Sequence, residues 1–437
     1  MPARSMLPDQ PKPPFPDFLK KKIEEFSKEI LIQKGTWTEE QIKISYLQPL
    51  LRGLGWNTED QKEVSYESPL QIKTVKRTDI LVKYQGKHQF VVEAKKTSVN
   101  IKEKQESAEQ LRYYGWNLRA PLNILSDFEE FAVYDCRKRF VAGKPADYGR
   151  LHYWKFDEYE THWETIWNLF SKDAVSRGSL EQFRKEKLKG SQAVDEALLD
   201  SVEQWREWLA VDFAAHNPLT QAELNFAVQM TLDRLLFLRI GEDRGIEPYE
   251  TLKQASKEAH VYDKLMNLFK LADNRYNSGL FHFSQEKERE YRDTLTPTLK
   301  LSNSVLQQII ELLYFPHSPY LFNVIPIEIL GHVYERFLGK TIELTADHQI
   351  QITLKPEVRK AGGVFYTPQY IVDYIVENTV GKALEGQKPN DIKTLSILDP
   401  ACGSGSFLLG AYDFLLQWYL GQLSQAPKQP LKDKHLR

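Results

Sequence analysis

The segment Thr78-Asp79-Ile80-Leu81-Val82-Lys83-Tyr84-Gln85-Gly86-Lys87-His88-Gln89-Phe90-Val91-Val92-Glu93-Ala94-Lys95 reads as two strands joined by a tight turn. Apolar runs fill Ile80 to Val82 and Phe90 to Val92, with Gly86 between them. A turn centred on Gly86 sets Asp79 opposite Glu93, and opposed residues of a hairpin bring their Cβ atoms to about 5 Å. Lys95 lies two residues beyond Glu93, so it leaves the same face of the strand. The pattern predicts two carboxylates and an ammonium converging at one end of a buried strand pair. Carboxylates in such a cluster bind Mg²⁺ through oxygen and leave positions for water and phosphate. Asp79 and Glu93 are therefore the candidate metal ligands. Lys95 is the candidate for orienting or activating the attacking water, or for holding a phosphate.

Outward from this hairpin the chain mixes helix and strand. Thr36 to Leu54 reads as a helix capped by Thr38, with Ile42, Ile44, Leu47, Leu50 and Leu51 on its buried side and Gly55 ending it. Before it, Phe18 to Gln33 carries Ile23, Phe26, Ile30 and Leu31 at helical spacing. Downstream, Lys104 to Trp116 reads as a helix, and Leu122 to Ser126 and Glu130 to Tyr134 as strands. Residues 156–345 are almost wholly helical in pattern. Asn225 to Ile240 is the clearest case, and its apolar stripes read as core. The basic cluster Arg184, Lys185, Lys187 and Lys189 reads first as a solvated helix face, with phosphate contact as the other option. The expected divisions are a lead at 1–35, a mixed α/β domain at 36–155, an all-α connector at 156–345 and a further α/β segment at 346–437.

Bulk properties set bounds on these readings. A chain of 437 residues accommodates two to four domains. No stretch approaches the ~20 apolar residues of a membrane-spanning helix, and the Pro- and Lys-rich start has no apolar run of a secretory signal. Cys136 and Cys402 are far apart in sequence, which points to a reducing, cytoplasmic setting rather than a disulfide framework. The formal net charge of -2 neither announces nor excludes a nucleic-acid partner, because a positive groove fits inside a near-neutral chain.

The hairpin motif resembles that of the PD-(D/E)xK nucleases, with Thr78-Asp79 in place of Pro-Asp and Glu93-Ala94-Lys95 as the second half. The following helix carries Gln110-Leu111-Arg112-Tyr113-Tyr114, similar to the Gln-x-x-x-Tyr motif beside many such sites, which makes Gln110 a further catalytic candidate. Thr38-Glu39 and Pro49 to Trp56 resemble the opening helix of the nuclease domain in type I and related restriction subunits. That resemblance implies an acidic contribution near the metal from Glu39.

A second constellation lies near the C-terminal end. Leu395 to Asp399 reads as a buried strand, Pro400-Ala401-Cys402-Gly403-Ser404-Gly405 as a loop, and Phe407 to Leu420 as a helix. Small residues let the backbone pass close beneath a ligand, and ligands of open α/β sheets sit at the carboxyl ends of strands. Leu408 stands where a dinucleotide motif requires its third glycine, which argues against NAD or FAD. The string Asp399 to Phe407 resembles the cofactor loop of N6-adenine DNA methyltransferases. Gly363-Val364-Phe365-Tyr366-Thr367-Pro368, one helix upstream, resembles the motif lining the methionine end of their cofactor. This order is that of the gamma class. The resemblance implies S-adenosylmethionine as cofactor, with Phe365, Tyr366, Thr367, Asp399, Pro400, Ala401, Gly403 and Gly405 as its contacts, at the start of a Rossmann-like domain. The family's Asn-Pro-Pro-Tyr string, which grips a flipped adenine, does not occur in this sequence.

Taken together, residues 36–422 resemble the N-terminal part of type IIG restriction–modification proteins, which join nuclease, helical connector, methyltransferase and recognition domain in one polypeptide. The expected partner is double-stranded DNA, with Mg²⁺ for cleavage. Because such chains continue past this point, a truncated product or fragment is expected, with a missing half supplied in trans as one option. Two other readings stay open: a non-catalytic subunit partnering a separate methyltransferase chain, and a stand-alone nuclease with a degenerate tail.

Overall fold

The computed structural model describes residues 13–33, 35–66, 79–185, 192–276, 278–284, 292–325, 330–331, 333, 336–337, 339–344, 350–361, 367, 369–402 and 405–425. The chain divides into two compact units, Met1–Ile325 with Ile342–Gln351, and Pro326–Thr341 with Ile352–Arg437.

The first unit is built on a six-stranded sheet: β1 (Val64–Tyr66), β2 (Ile80–Tyr84), β3 (Lys87–Ala94), β4 (Leu122–Ser126), β5 (Glu130–Asp135) and β6 (Arg150–Lys155), in that spatial order. β3 and β4 are parallel and every other pair is antiparallel. A parallel pair needs a crossover, here made by α4 (Gln105–Asn117). Alternation along the strands splits the core in two. Ile80, Val82, Phe90, Val92, Ile124, Phe131 and Val133 face one side. Val91, Leu125, Ala132 and Tyr134 face the other, against Leu111 and Tyr114 of α4. The helix approaches closely there, since a side chain at Gly115 would run into Asn123 and Cys136.

The first face is covered by helices that precede and follow the sheet strands in sequence. α1 (Asp17–Gln33) inserts Leu19, Phe26 and Ile30, while α5 (Tyr159–Phe170), α6 (Lys172–Ser176) and α7 (Ser179–Lys185) add Trp163, Ile166, Phe170 and Leu180. This core thus runs from Phe15 to Leu180, across the expected limits at 35/36 and 155/156. Two apolar expectations on these helices are corrected. Leu31 and Ile44 are solvent-exposed. Ile44 lies in a π-helical turn, Lys43–Leu47, between α2 (Glu39–Ile42) and α3 (Gln48–Gly53). The wider turn changes which side chains point inward, and Tyr46 is buried in place of Ile44.

The rest of this unit is helical, as the stripes predict. α8 (Val194–His216) packs on α9 (Gln221–Asp243), with α10 (Thr251–Ala255), α11 (Val261–Tyr276) and α12 (Asn303–Glu311) around them. α9 begins at a reciprocal cap between Thr220 and Glu223. Two of its arginines are buried and matched: Arg234 reaches Asp293 at 2.7 Å, and Arg239 reaches Asp243 at 2.6 Å. A buried charge is tolerable only with such partners.

In the second unit, Val372, Val376, Val380 and Leu384 pack on Ala411, Phe407, Phe414 and Trp418 of the helix Ser406–Gln425. The expected strand at Leu395–Asp399 is absent. These residues take no strand structure, and Leu398 is 85% exposed. A strand requires a ladder partner for its N–H and C=O groups, and no described segment pairs with this one.

Candidate functional site

The hairpin forms, and its register arises from two offsets that cancel. The turn is the two-residue Gln85-Gly86, both at positive φ (49° and 75°), the signature of a type I′ turn. That turn pairs Tyr84 with Lys87 and Lys83 with His88. A one-residue bulge at Gln89 then moves the ladder to Val82–Phe90, Leu81–Val91 and Ile80–Val92. Carried one residue further, this register sets Asp79 against Glu93.

The side chains do meet. Asp79 Oδ2 accepts the Ala94 N–H at 2.9 Å, and Lys95 Nζ lies 2.5 Å from Glu93 Oε1. Glu93 is 1% exposed and Lys95 9%. Burial, reinforced by the neighbouring Asp79 charge, pushes the Glu93 carboxyl up to about 8, while Lys95 pulls the other way. Burial works against the charge on Lys95, but Glu93, Asp79 and Glu39 outweigh it and hold its pKa above the usual lysine value. Glu93 Oε2 is buried and accepts no hydrogen bond among the described residues. An orphaned buried oxygen is costly and marks a place for a ligand.

One participant escapes the sequence reading. Lys43, in the π-helical turn, is buried and places Nζ 2.7 Å from Glu40 and 3.4 Å from Asp79. Burial opposes its charge, and Glu40 and Asp79 overcome that and hold it protonated. The signal was present in the sequence: the capping box of Thr38 and Gln41 fixes the helix start, which puts Lys43 among the inward residues one turn on. Glu39 acts on Glu93 and Lys95 through its charge. Gln110 takes a different place. It is half-buried on α4, lines a separate cavity, and makes no hydrogen bond to Asp79, Glu93 or Lys95 among the described residues.

No three His, Cys, Asp or Glu side chains form a ready metal cage among the described residues. Mg²⁺ needs fewer, since it keeps several waters and takes one or two carboxylates. Asp79, with Glu93 and its unmatched oxygen, suits that requirement.

The second constellation is only partly described. Phe365, Tyr366 and Gly403 lie outside the described residues, and Thr367 is half-buried. Asp399 Oδ1 accepts the Ala401 N–H at 3.1 Å, and the Gly405 N–H donates to the Cys402 carbonyl at 2.7 Å. Gly405 has φ 80°, a conformation that favours glycine, and a side chain there would meet open space. Pro400 and Ala401 are exposed. The loop is thus formed by local bonds, on a backbone segment that belongs to no sheet. The basic cluster is also only partly described. Arg184 donates to the carbonyls of His88 and Arg119 and pairs with Glu181, while Lys187 and Lys189 lie outside the described residues.

Comparison with known proteins finds similarity over the stretches that hold both constellations. Residues 326–425 match the N-6 DNA Methylase family, whose chemistry implies S-adenosylmethionine. The type II restriction enzyme and methyltransferase RM.Eco57I of Escherichia coli is 31% identical over 432 residues, covering 95% of this chain and 42% of its own. The chain therefore spans less than half the length of that relative. A type I restriction enzyme methylase subunit of Methanocaldococcus jannaschii is 35% identical over 20% of this chain and 12% of its own. Adenine-specific methyltransferase PglX of Streptomyces coelicolor is 33% identical over 19% of this chain and 6% of its own. The type IIG restriction endonuclease BpuSI covers 85% of this chain and 36% of its own at 13% identity, but its TM-score of 0.25 carries no weight for the fold. No described helix is long and apolar enough to cross a membrane, and similarity to RM.Eco57I, a type II restriction enzyme and methyltransferase, extends over 95% of this chain.

Proposed function

We propose that the β2–β3 hairpin is a Mg²⁺-dependent phosphodiesterase centre that cleaves double-stranded DNA, and that the 399–405 loop is part of the cofactor site of an adenine-N6 methyltransferase. The observation that carries the first half is Glu93: a buried carboxylate with one oxygen held by Lys95 and the other unmatched. Asp79 and Glu93 would hold the metal. When bound, Mg²⁺ neutralises charge on the phosphate and acidifies a coordinated water. Without the metal, Glu93 and Asp79 hold Lys95 protonated, and as a cation it would donate to a phosphate oxygen or orient the water. Asp79 is fixed for its part by the Ala94 N–H and by Lys43.

For the second half, the cofactor supplies an electrophilic methyl group on a sulfonium centre. Asp399, with Pro400, Ala401, Gly403 and Gly405, would cradle it beside the start of the helix Ser406–Gln425, and Phe365, Tyr366 and Thr367 would line its methionine end.

The deciding experiment incubates the purified chain with duplex DNA and Mg²⁺. Cleavage should stop in EDTA and fall at least about 10³-fold in Glu93→Ala. Cutting that survives either change removes the assignment. Equilibrium binding of labelled S-adenosylmethionine, weakened in Asp399→Ala, tests the second half independently.

A further inference from the structure

A cavity of about 370 Å³ lies between α4 and the helical layer of the first unit, away from Glu93 and Lys95. Its volume is in the range of small-ligand sites. One wall is a continuous aromatic surface: the Tyr113 ring is 4.5 Å from Phe140 and 5.8 Å from Phe315, centroid to centroid. Tyr249 contributes a further ring.

The charges lining this space are unequal. Its one basic residue, Arg239, pairs with Asp243 at 2.6 Å and lies 4.2 Å from the Tyr314 ring, while its Nη1 makes no hydrogen bond among the described residues. Glu106 and Glu109 line the cavity as well. Glu106 meets Lys104 at 3.3 Å in open solvent, where screening makes the pair weak. Glu109 accepts the Gly143 N–H, and the cation whose field reaches it is Arg112, whose guanidinium donates to the carbonyls of Lys144, Pro145 and Tyr148. Asn323 Oδ1 is buried in the lining without a hydrogen-bond partner among the described residues. That oxygen is an acceptor and calls for an N–H donor.

Aromatic faces attract cations through the negative centre of their rings, and carboxylates add to that attraction. A phosphate-bearing ligand would be repelled. A neutral ring would leave the carboxylates desolvated and unpaired. We propose that this cavity binds a small organic ammonium cation with N–H donors, of the aliphatic polyamine class, with Glu109 and Asn323 as its polar contacts and the Tyr113–Phe140–Phe315 surface as its cation–π wall.

Calorimetric titration of the full chain with spermidine at physiological salt tests this. Saturable one-to-one binding is expected, weakened about tenfold or more in Glu109→Gln and in Asn323→Leu, and unchanged in Glu164→Gln, a surface control. Choline, a cation without N–H donors, should bind at least tenfold more weakly. Thermal unfolding of each variant establishes that it is folded, and Glu109→Gln keeps both the shape and the acceptor for Gly143. Absence of saturable binding, equal affinity in Glu109→Gln, or an equal loss in Glu164→Gln overturns the proposal, since each would mean no site or only diffuse attraction to acidic surface. Choline binding as tightly as spermidine overturns the part given to Asn323.

Discussion

The end of β3 and the segment before Asp399 both carry polar residues at the close of an apolar run, and their surroundings differ sharply. β3 is paired on both sides and covered on both faces, so Glu93 and Lys95 are buried and held by named partners. The 395–399 segment is unpaired, and its loop is held by its own short hydrogen bonds. A sheet supplies more than a scaffold here. It removes water from the carboxylate and so changes its proton affinity, whereas a loop without strands around it keeps its sequence and gains no such environment.

Hydrogen exchange can break that comparison most directly. Amides of Phe90 to Ala94 should exchange through global opening, while those of Ser396 to Asp399 exchange near the rate of open chain, a gap of about four orders of magnitude or more. Similar protection in the two stretches would show the contrast to be unreal.

A smaller effect sharpens the account of the buried site. Lys43 places a cation 3.4 Å from Asp79, where it competes with any metal. Lys43→Met should therefore lower the Mg²⁺ concentration for half-maximal cleavage by about three- to tenfold. An unchanged or raised requirement would assign Lys43 to the phosphate or to packing instead.

The smallest effect concerns the turn beside the site. Asp127, between β4 and β5, is buried with Oδ2 unmatched among the described residues, and burial pushes its carboxyl up to about 8. A carboxyl whose folded pKa is raised gives its full stabilisation below its unfolded pKa of about 4 and loses it as pH rises through about 8. Asp127→Asn removes that loss. The variant's melting temperature should gain on the wild type by a few degrees between pH 6 and pH 9. A constant difference across that range would mean that the carboxylate is not desolvated.

How much of this was legible in sequence depends on what each residue needed from elsewhere. Inner strands announced themselves because both faces are buried. β1 and β6 did not, because edge strands expose one side and carry residues such as Arg150 and Lys155. The helices α5 to α7 showed their apolar stripes, but a stripe does not name the surface that covers it, and these complete the sheet core. The inward place of Lys43 was legible from the helix start, but its role was not, because its partner Asp79 lies 36 residues further along the chain. The pairing of Asp79 with Glu93 was anticipated from a simpler turn than the one that forms. Leu395 to Leu398 looked like a strand because local pattern alone suffices to suggest one, and forming one requires a neighbour.

The bulge at Gln89 offsets the ladder of the hairpin by one residue between its outer and inner lengths. On its outer side Lys83 to His88 close the turn; on its inner side lie Asp79 to Val82 and Phe90 to Lys95, with the proposed metal ligands. Removing Gln89 would join the two lengths into one regular ladder without changing which inner residues face each other. The alignment of the acidic pair therefore does not depend on this residue, although Gln89 is itself buried.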